Sequence, residues 1–185
     1  MQIESTNPTI STRDLQKMFG DTMKLYIKKD NYKMVFDGSY AREILYLGTE
    51  NKHYISLGQI DSMVWRYCNE NASSAIYTQA YKNADRVMNY DCDAYTIQTD
   101  WGSTTYYYAP QIKMNPKNYS HHVFNYFNVY VKYAKSPYLK YVYNGPTFRM
   151  TLVATDILAH PVEQTAFNAV WKQPYASINP EAPEK

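Results

Sequence analysis

Tyr138-Leu-Lys-Tyr-Val-Tyr-Asn-Gly-Pro-Thr-Phe-Arg-Met-Thr-Leu-Val-Ala154 is the stretch that decides the fold class. Two runs rich in β-branched and aromatic residues flank Asn144-Gly145. That dipeptide suits a tight hairpin turn because both residues tolerate positive φ. Residues 138–143 and 148–154 therefore predict an antiparallel hairpin. A lone hairpin is marginal in water, so more strands must extend it.

Strand patterns recur on the N-terminal side. Residues 94–101 and 104–109 are β-formers with Gly102-Ser103 expected as the turn between them. Residues 23–28 and 32–36 alternate apolar and polar around Asp30-Asn31. Residues 44–47 and 53–57 predict a second hairpin around Gly48-Thr49-Glu50-Asn51, so the first third reads as an antiparallel meander. Residues 63–68 fit a helix or a strand equally well.

Three segments predict helices. Ser11 or Thr12 can cap a short helix over residues 13–19 that Gly20 ends. Ile76, Ala80, Ala84 and Val87 or Met88 recur at helical spacing behind Ser73 or Ser74. Pro161 sits where a first helical residue should, opening a helix to about Trp171 that buries Val162, Ala166, Val170 and Phe167 or Trp171. Residues 120–134 fit both periods. As a helix they align Val123, Phe127, Val131 and Ala134, but the density of β-branched and aromatic residues favours strand from about 126 onward. The expected fold class is α+β, mostly antiparallel β-sheet with two or three helices packed on it. Residues 11–173 read as one domain, with an N-terminal arm over 1–10 and a Pro-rich tail over 174–185.

Composition narrows what such a fold can do. Tyrosine supplies 21 of 185 residues, more than leucine and valine together, while Leu, Ile, Val and Phe total only 35. With 19% charged residues and a net charge of +2, disorder is the weaker reading. The core must be built partly from Tyr rings, whose hydroxyls need partners or a route to water. No apolar run approaches a membrane span and no signal-peptide pattern opens the chain, so a soluble cytoplasmic protein with no membrane partner is expected. Cys68 and Cys92 lack CxxC spacing and lie far in sequence from any His, which predicts two free buried thiols and no zinc site.

No catalytic or cofactor motif stands out. His121-His122 are adjacent and cannot chelate as a pair, while His53 and His160 fit strand and cap positions. Asp91-Cys92-Asp93 with Asp100 reads as the loop closing the second helix, not as a calcium loop. No glycines form a phosphate cradle, and no serine lies in a nucleophile elbow. Catalytic, cofactor and metal residues are therefore expected to be absent, and the chain is read as non-enzymatic.

Two clusters remain as partner-binding candidates. Tyr130, Lys132, Tyr133, Lys135, Tyr138, Lys140, Tyr141 and Tyr143 interleave rings and cations, the combination that stacks bases and tracks a single-stranded backbone. Tyr106-Tyr107-Tyr108 must send rings to both faces of a strand, so at least one should meet solvent or a partner. The leading expectation is a structural or assembly protein that contacts other protein subunits through Tyr-rich interfaces, such as a viral or phage capsid, neck or tail component. Its setting would be the virion or host cytoplasm. A single-stranded nucleic-acid-binding protein using residues 130–143 is the first alternative. An intracellular inhibitor or effector is the second.

Overall fold

The computed structural model describes residues 1–58, 63–168 and 176–177. Its elements are β1 (Gln2–Ser5), α1 (Thr12–Phe19), β2 (Met23–Lys28), β3 (Asn31–Phe36), β4 (Ala41–Leu47), β5 (Lys52–Leu57) and β6 (Met63–Tyr67). They continue with β7 (Ala75–Val87), β8 (Tyr90–Thr99), β9 (Gly102–Tyr108), α2 (Phe127–Ala134), β10 (Tyr138–Asn144), β11 (Phe148–Val153) and β12 (Ala176–Ser177). Short 3-10 turns occupy Pro116–Tyr119, Phe124–Tyr126 and Gln164–Phe167.

The strands form two six-stranded sheets. One runs β1-β11-β10-β9-β8-β7, and the other runs β12-β6-β5-β4-β3-β2. Every pairing is antiparallel except β12 with β6. The architecture is thus mostly antiparallel β-sheet with two short α-helices. The hairpin expected over 138–154 is present, but its turn falls at Pro146-Thr147: Asn144 pairs with Arg149, the Gly145 amide donates to Phe148 O, and neither Asn144 nor Gly145 takes positive φ. The meander is also present, as β2 to β5, and the undecided residues 63–68 supply β6. Polar residues at the start of the chain form β1, which pairs with β11.

Helix α1 follows its sequence signals closely. The Ser11 side chain accepts from the Arg13 amide, and Gly20 ends the helix at φ 81°. A Cβ on Gly20 would lie 2.0 Å from Asp37 Oδ1, so both the dihedral and the space demand glycine here.

Four further expectations fail. The helix expected around residues 76–88 is instead the 13-residue strand β7. Its stripe has nothing to bury against, since Ile76 stays 64% exposed. Pairing with β8, which is rich in β-formers, overrides the period of 3.6. Asp91 and Asp93, expected in a loop, accordingly sit inside β8.

The strand expected from 126 onward is the helix α2, where the alternative stripe prevails. Tyr130 and Val131 are fully buried on it, and Lys135 closes it at φ 51° with its amide donating to Val131. Pro137 follows and disfavours a helical Ser136.

The expected turn at Gly102-Ser103 lies two residues earlier, at Asp100-Trp101. Thr99 Oγ1 accepts from the Trp101 amide and Asp100 accepts from the Ser74 amide, fixing that turn. Gly102 instead lets β10 approach, because a Cβ there would sit 2.1 Å from the Asn144 carbonyl oxygen.

The helix expected after Pro161 is only the turn Gln164–Phe167, with Glu163 extended before it. Val162, Ala166 and Phe167 nevertheless pack as anticipated, against Leu45, Tyr54 and Met63. Val170, Trp171 and the tail, apart from β12, lie outside the described residues.

The segment 115–136 wedges between the sheets and carries the main core. Tyr32 and Tyr46 reach it from β3 and β4, while Tyr95, Ile97, Tyr106 and Tyr108 reach it from β8 and β9. Tyr119, Tyr130 and Val131 fill the space between. Eight tyrosines are buried among the described residues, and their hydroxyls are largely satisfied as the composition requires. Tyr130 donates to Ser136 O at 2.8 Å, Tyr46 to Asn51 Oδ1 at 3.0 Å and Tyr119 to Asn31 O at 3.4 Å.

Candidate functional site

The sequence-predicted contact residues divide by burial. Tyr106, Tyr108 and Tyr130 are core residues and meet no solvent. Tyr107, Tyr138, Lys140, Tyr141 and Tyr143 are half-buried, and only Lys132, Tyr133 and Lys135 are exposed. Lys140 is already engaged, donating to Asp85 Oδ2 at 2.7 Å and lying 4.7 Å from the centre of the Tyr107 ring. Tyr133 stacks on Tyr95 at 4.4 Å. The helix of α2 separates Tyr130 from Lys132 and Tyr133, so the interleaved stretch makes no continuous face.

The most open surface is the edge strand β7, which pairs with β8 on one side only. Residues 75–84 are exposed without interruption. Cross-strand partners place Tyr77, Gln79 and Tyr81 on one face, opposite Gln98, Thr96 and Ala94. Tyr77 and Tyr81 are 52% and 45% exposed, and Trp101 stands at 59% in the β8–β9 turn. Beyond Tyr81 the ladder breaks, because residues 82–84 face the single residue Asp93. Asp93 Oδ1 accepts from the Asn83 amide at 3.1 Å, its Oδ2 pairs with Lys82 Nζ at 2.6 Å, and Asn83 takes φ 48°. Sequence reading missed this edge because it placed the same residues on a helix.

A second constellation lies inside. Tyr32 on β3, His53 on β5, Cys68 just after β6 and His122 before α2 meet in the core. His53, Cys68 and His122 are all buried, and their ligand atoms fall within 4.8 Å of one another. Tyr32 Oη contacts His53 Nε2 and lies 2.8 Å from His122 Nε2, and the two Nε2 atoms are 3.1 Å apart. The Cys68 carbonyl accepts from the Val123 and Phe124 amides, which fixes the His122 loop against the end of β6. Arg66, opposite His53 in the ladder, lays its guanidinium over the Phe124 ring at 4.0 Å.

Burial sets the charge state of the group. It holds His53 well below the ordinary imidazole range, with the neighbouring His122 adding to the effect. It presses His122 down to about 4. The Cys68 thiol is pushed up to about 12 by burial, against the opposing pull of the Arg66 charge. The Tyr32 hydroxyl is raised well above its usual value by burial. Neutral imidazoles and a protonated thiol follow at neutral pH, an environment that does not activate a cysteine nucleophile.

Sequence spacing could not reveal this group, since the members come from four separate elements. The exposed His121 lies outside this group.

Comparison with family models, with curated proteins and with solved structures returns no match. No described helix is long and apolar enough to cross a membrane.

Proposed function

We infer that this chain is a non-enzymatic assembly subunit, and that a second copy of the chain occupies its β7 edge. The observation that carries the reading is the run of ten exposed residues, 75–84, on an edge strand that bears Ile76, Tyr77 and Tyr81. Folded proteins usually blunt such edges, because open amide and carbonyl groups recruit strands from other chains.

Self-pairing has a specific chemical rationale. An antiparallel two-fold centred on Gln79 would set Tyr77 of each copy opposite Tyr81 of the other, on the same face. Cross-strand aromatic pairs are the stabilising unit of such a ladder. A two-fold contact is also closed, so each copy satisfies the other without further growth. The bulge at Asp93 would end the paired segment, confining it to residues 77–81. Such a closed pair would be one contact within a larger protein array such as a virion.

Sedimentation velocity tests the reading. The expected result is a concentration-dependent dimer that becomes monomeric in the double variant Tyr77→Lys/Tyr81→Lys, with the far-ultraviolet spectrum unchanged. A wild type that stays monomeric at its solubility limit overturns it.

A further inference from the structure

Tyr32 Oη, His53 Nε2 and His122 Nε2 form a triangle with every edge at bonding distance. Hydrogen bonds alone cannot close it. A hydroxyl can donate and accept together, but a neutral imidazole nitrogen either donates or accepts. At least one edge therefore joins atoms with no proton properly placed between them. The strain is not relieved on the far side of the ring, because His122 Nδ1 is buried with no partner. Whichever tautomer His122 adopts, one of its nitrogens is poorly served, a state that buried polar groups rarely tolerate.

We propose that His53, Cys68 and His122, with the Tyr32 hydroxyl beside them, form a closed structural site for a divalent cation of the zinc class. Two imidazole nitrogens and a sulfur are the donor set that favours zinc over the oxygen-seeking magnesium and calcium. The spacing of the two imidazole nitrogens is also suitable. Zinc–nitrogen bonds of about 2.0–2.1 Å in a tetrahedron imply a nitrogen–nitrogen edge of about 3.3–3.4 Å, close to the 3.1 Å between the two Nε2 atoms. A cation on Nε2 removes the unresolved triangle and fixes the His122 tautomer, with the proton on Nδ1, which still lacks a partner. The nearby Arg66 guanidinium, whose Nε is likewise buried and unpartnered, adds positive charge to these surroundings. Cys68 must therefore bind as thiolate, releasing its proton to solvent as the metal–sulfur bond forms. Bound there, the ion would tie together β3, β5, the end of β6 and the loop before α2, which carries the core wedge.

The test uses the full chain, stripped with a chelator and then titrated with Co²⁺. One equivalent should give an intense tetrahedral visible spectrum and a near-ultraviolet thiolate-to-cobalt band, and Zn²⁺ should displace both. Cys68→Ser should abolish the charge-transfer band, while Cys92→Ser, the same change at the other buried thiol, should leave it intact. If Cys68→Ser does not fold, alkylation of the wild type in mild denaturant decides. Zn²⁺ should then slow modification of Cys68 at least tenfold and leave Cys92 unaffected. Absence of the charge-transfer band in the wild type, its loss in Cys92→Ser, or equal protection of both thiols overturns the proposal.

Discussion

Tyr106 on β9 and Tyr130 on α2 lie face to face, with ring centroids 4.1 Å apart and planes 16° from parallel. The Tyr130 hydroxyl donates to Ser136 O, and Ser136 Oγ donates to Ala109 O at 2.9 Å. Ring stacking and this hydrogen-bond relay together fasten the helix to the strand. Tyr130→Phe keeps the stack but orphans a buried carbonyl, and should cost about 1–3 kcal/mol. Tyr130→Ala removes the ring and should cost about 3–5 kcal/mol. Urea melts with matched slopes would measure both; a neutral Tyr130→Phe would show that the relay adds nothing.

Gly20 closes α1 in a conformation that L side chains rarely adopt, with Asp37 filling the space a Cβ would need. Asp37 in turn accepts from the Asp21 and Thr22 amides at 2.9 Å each. Gly20→Ala should therefore displace this small knot and destabilise by more than about 1 kcal/mol. Its unfolding midpoint should fall well below that of an exposed control such as Lys24→Ala.

Legibility from sequence tracked the range of the interactions. The Ser11 cap and the Gly20 stop are local, and each lies where the residues place it, whereas the hairpin over 138–153 forms with its turn two residues past Asn144-Gly145. The segments over 76–88 and 127–134 exchanged identities because tertiary context decided them. Ala80 and Ala84 carry a helical period, yet β8 offers a ladder and nothing covers a stripe. Val129 and Val131 favour strand on propensity, yet the gap between the sheets admits a helix. His53, Cys68 and His122 were invisible for the same reason, since only the folding of β5, β6 and the 121–124 loop brings them together.

Asp85 and Lys140 should show their contact in acid. The Lys140 ammonium, and then the Arg86 amide, hold the Asp85 carboxyl below its ordinary range. A carboxyl depressed in the folded state stabilises above its unfolded value of about 3.9, and that stabilisation is lost as pH falls through the folded value. The stability gap between wild type and Asp85→Asn should thus be constant near neutrality and vanish in strong acid. The gap should be small, because both side chains are partly solvated. A gap that widened in acid would reverse the assignment.

Single-stranded nucleic acid should find little purchase on residues 130–143. Tyr130 is buried, Lys140 is paired, and Lys132 and Lys135 stand without a row of open rings beside them. Fluorescence anisotropy with a labelled oligonucleotide should show no saturable binding at physiological salt. Binding that falls steeply with salt and is weakened by Lys132→Ala and Lys135→Ala would restore that reading.

Asp93 is the residue on which the behaviour of the β7 edge should turn. It is 5% exposed, and its two oxygens hold the Asn83 amide and the Lys82 ammonium, so it maintains the bulge directly. Bulges twist an edge away from incoming strands, and this one ends the regular segment that runs over residues 77–81. Asp93→Ala should cost about 0.5–1.5 kcal/mol by removing the hydrogen bond to the amide of the exposed Asn83. Amide exchange should accelerate at residues 82–84, while β10 and β11 stay protected. With the bulge released, the edge can straighten, the ladder between copies can lengthen past Tyr81, and the dimer should tighten in sedimentation. Asp93→Asn, which keeps an acceptor for Asn83, should lose the Lys82 pair yet remain dimeric. Identical sedimentation of both variants and the wild type would show that the bulge does not govern how far β7 pairs.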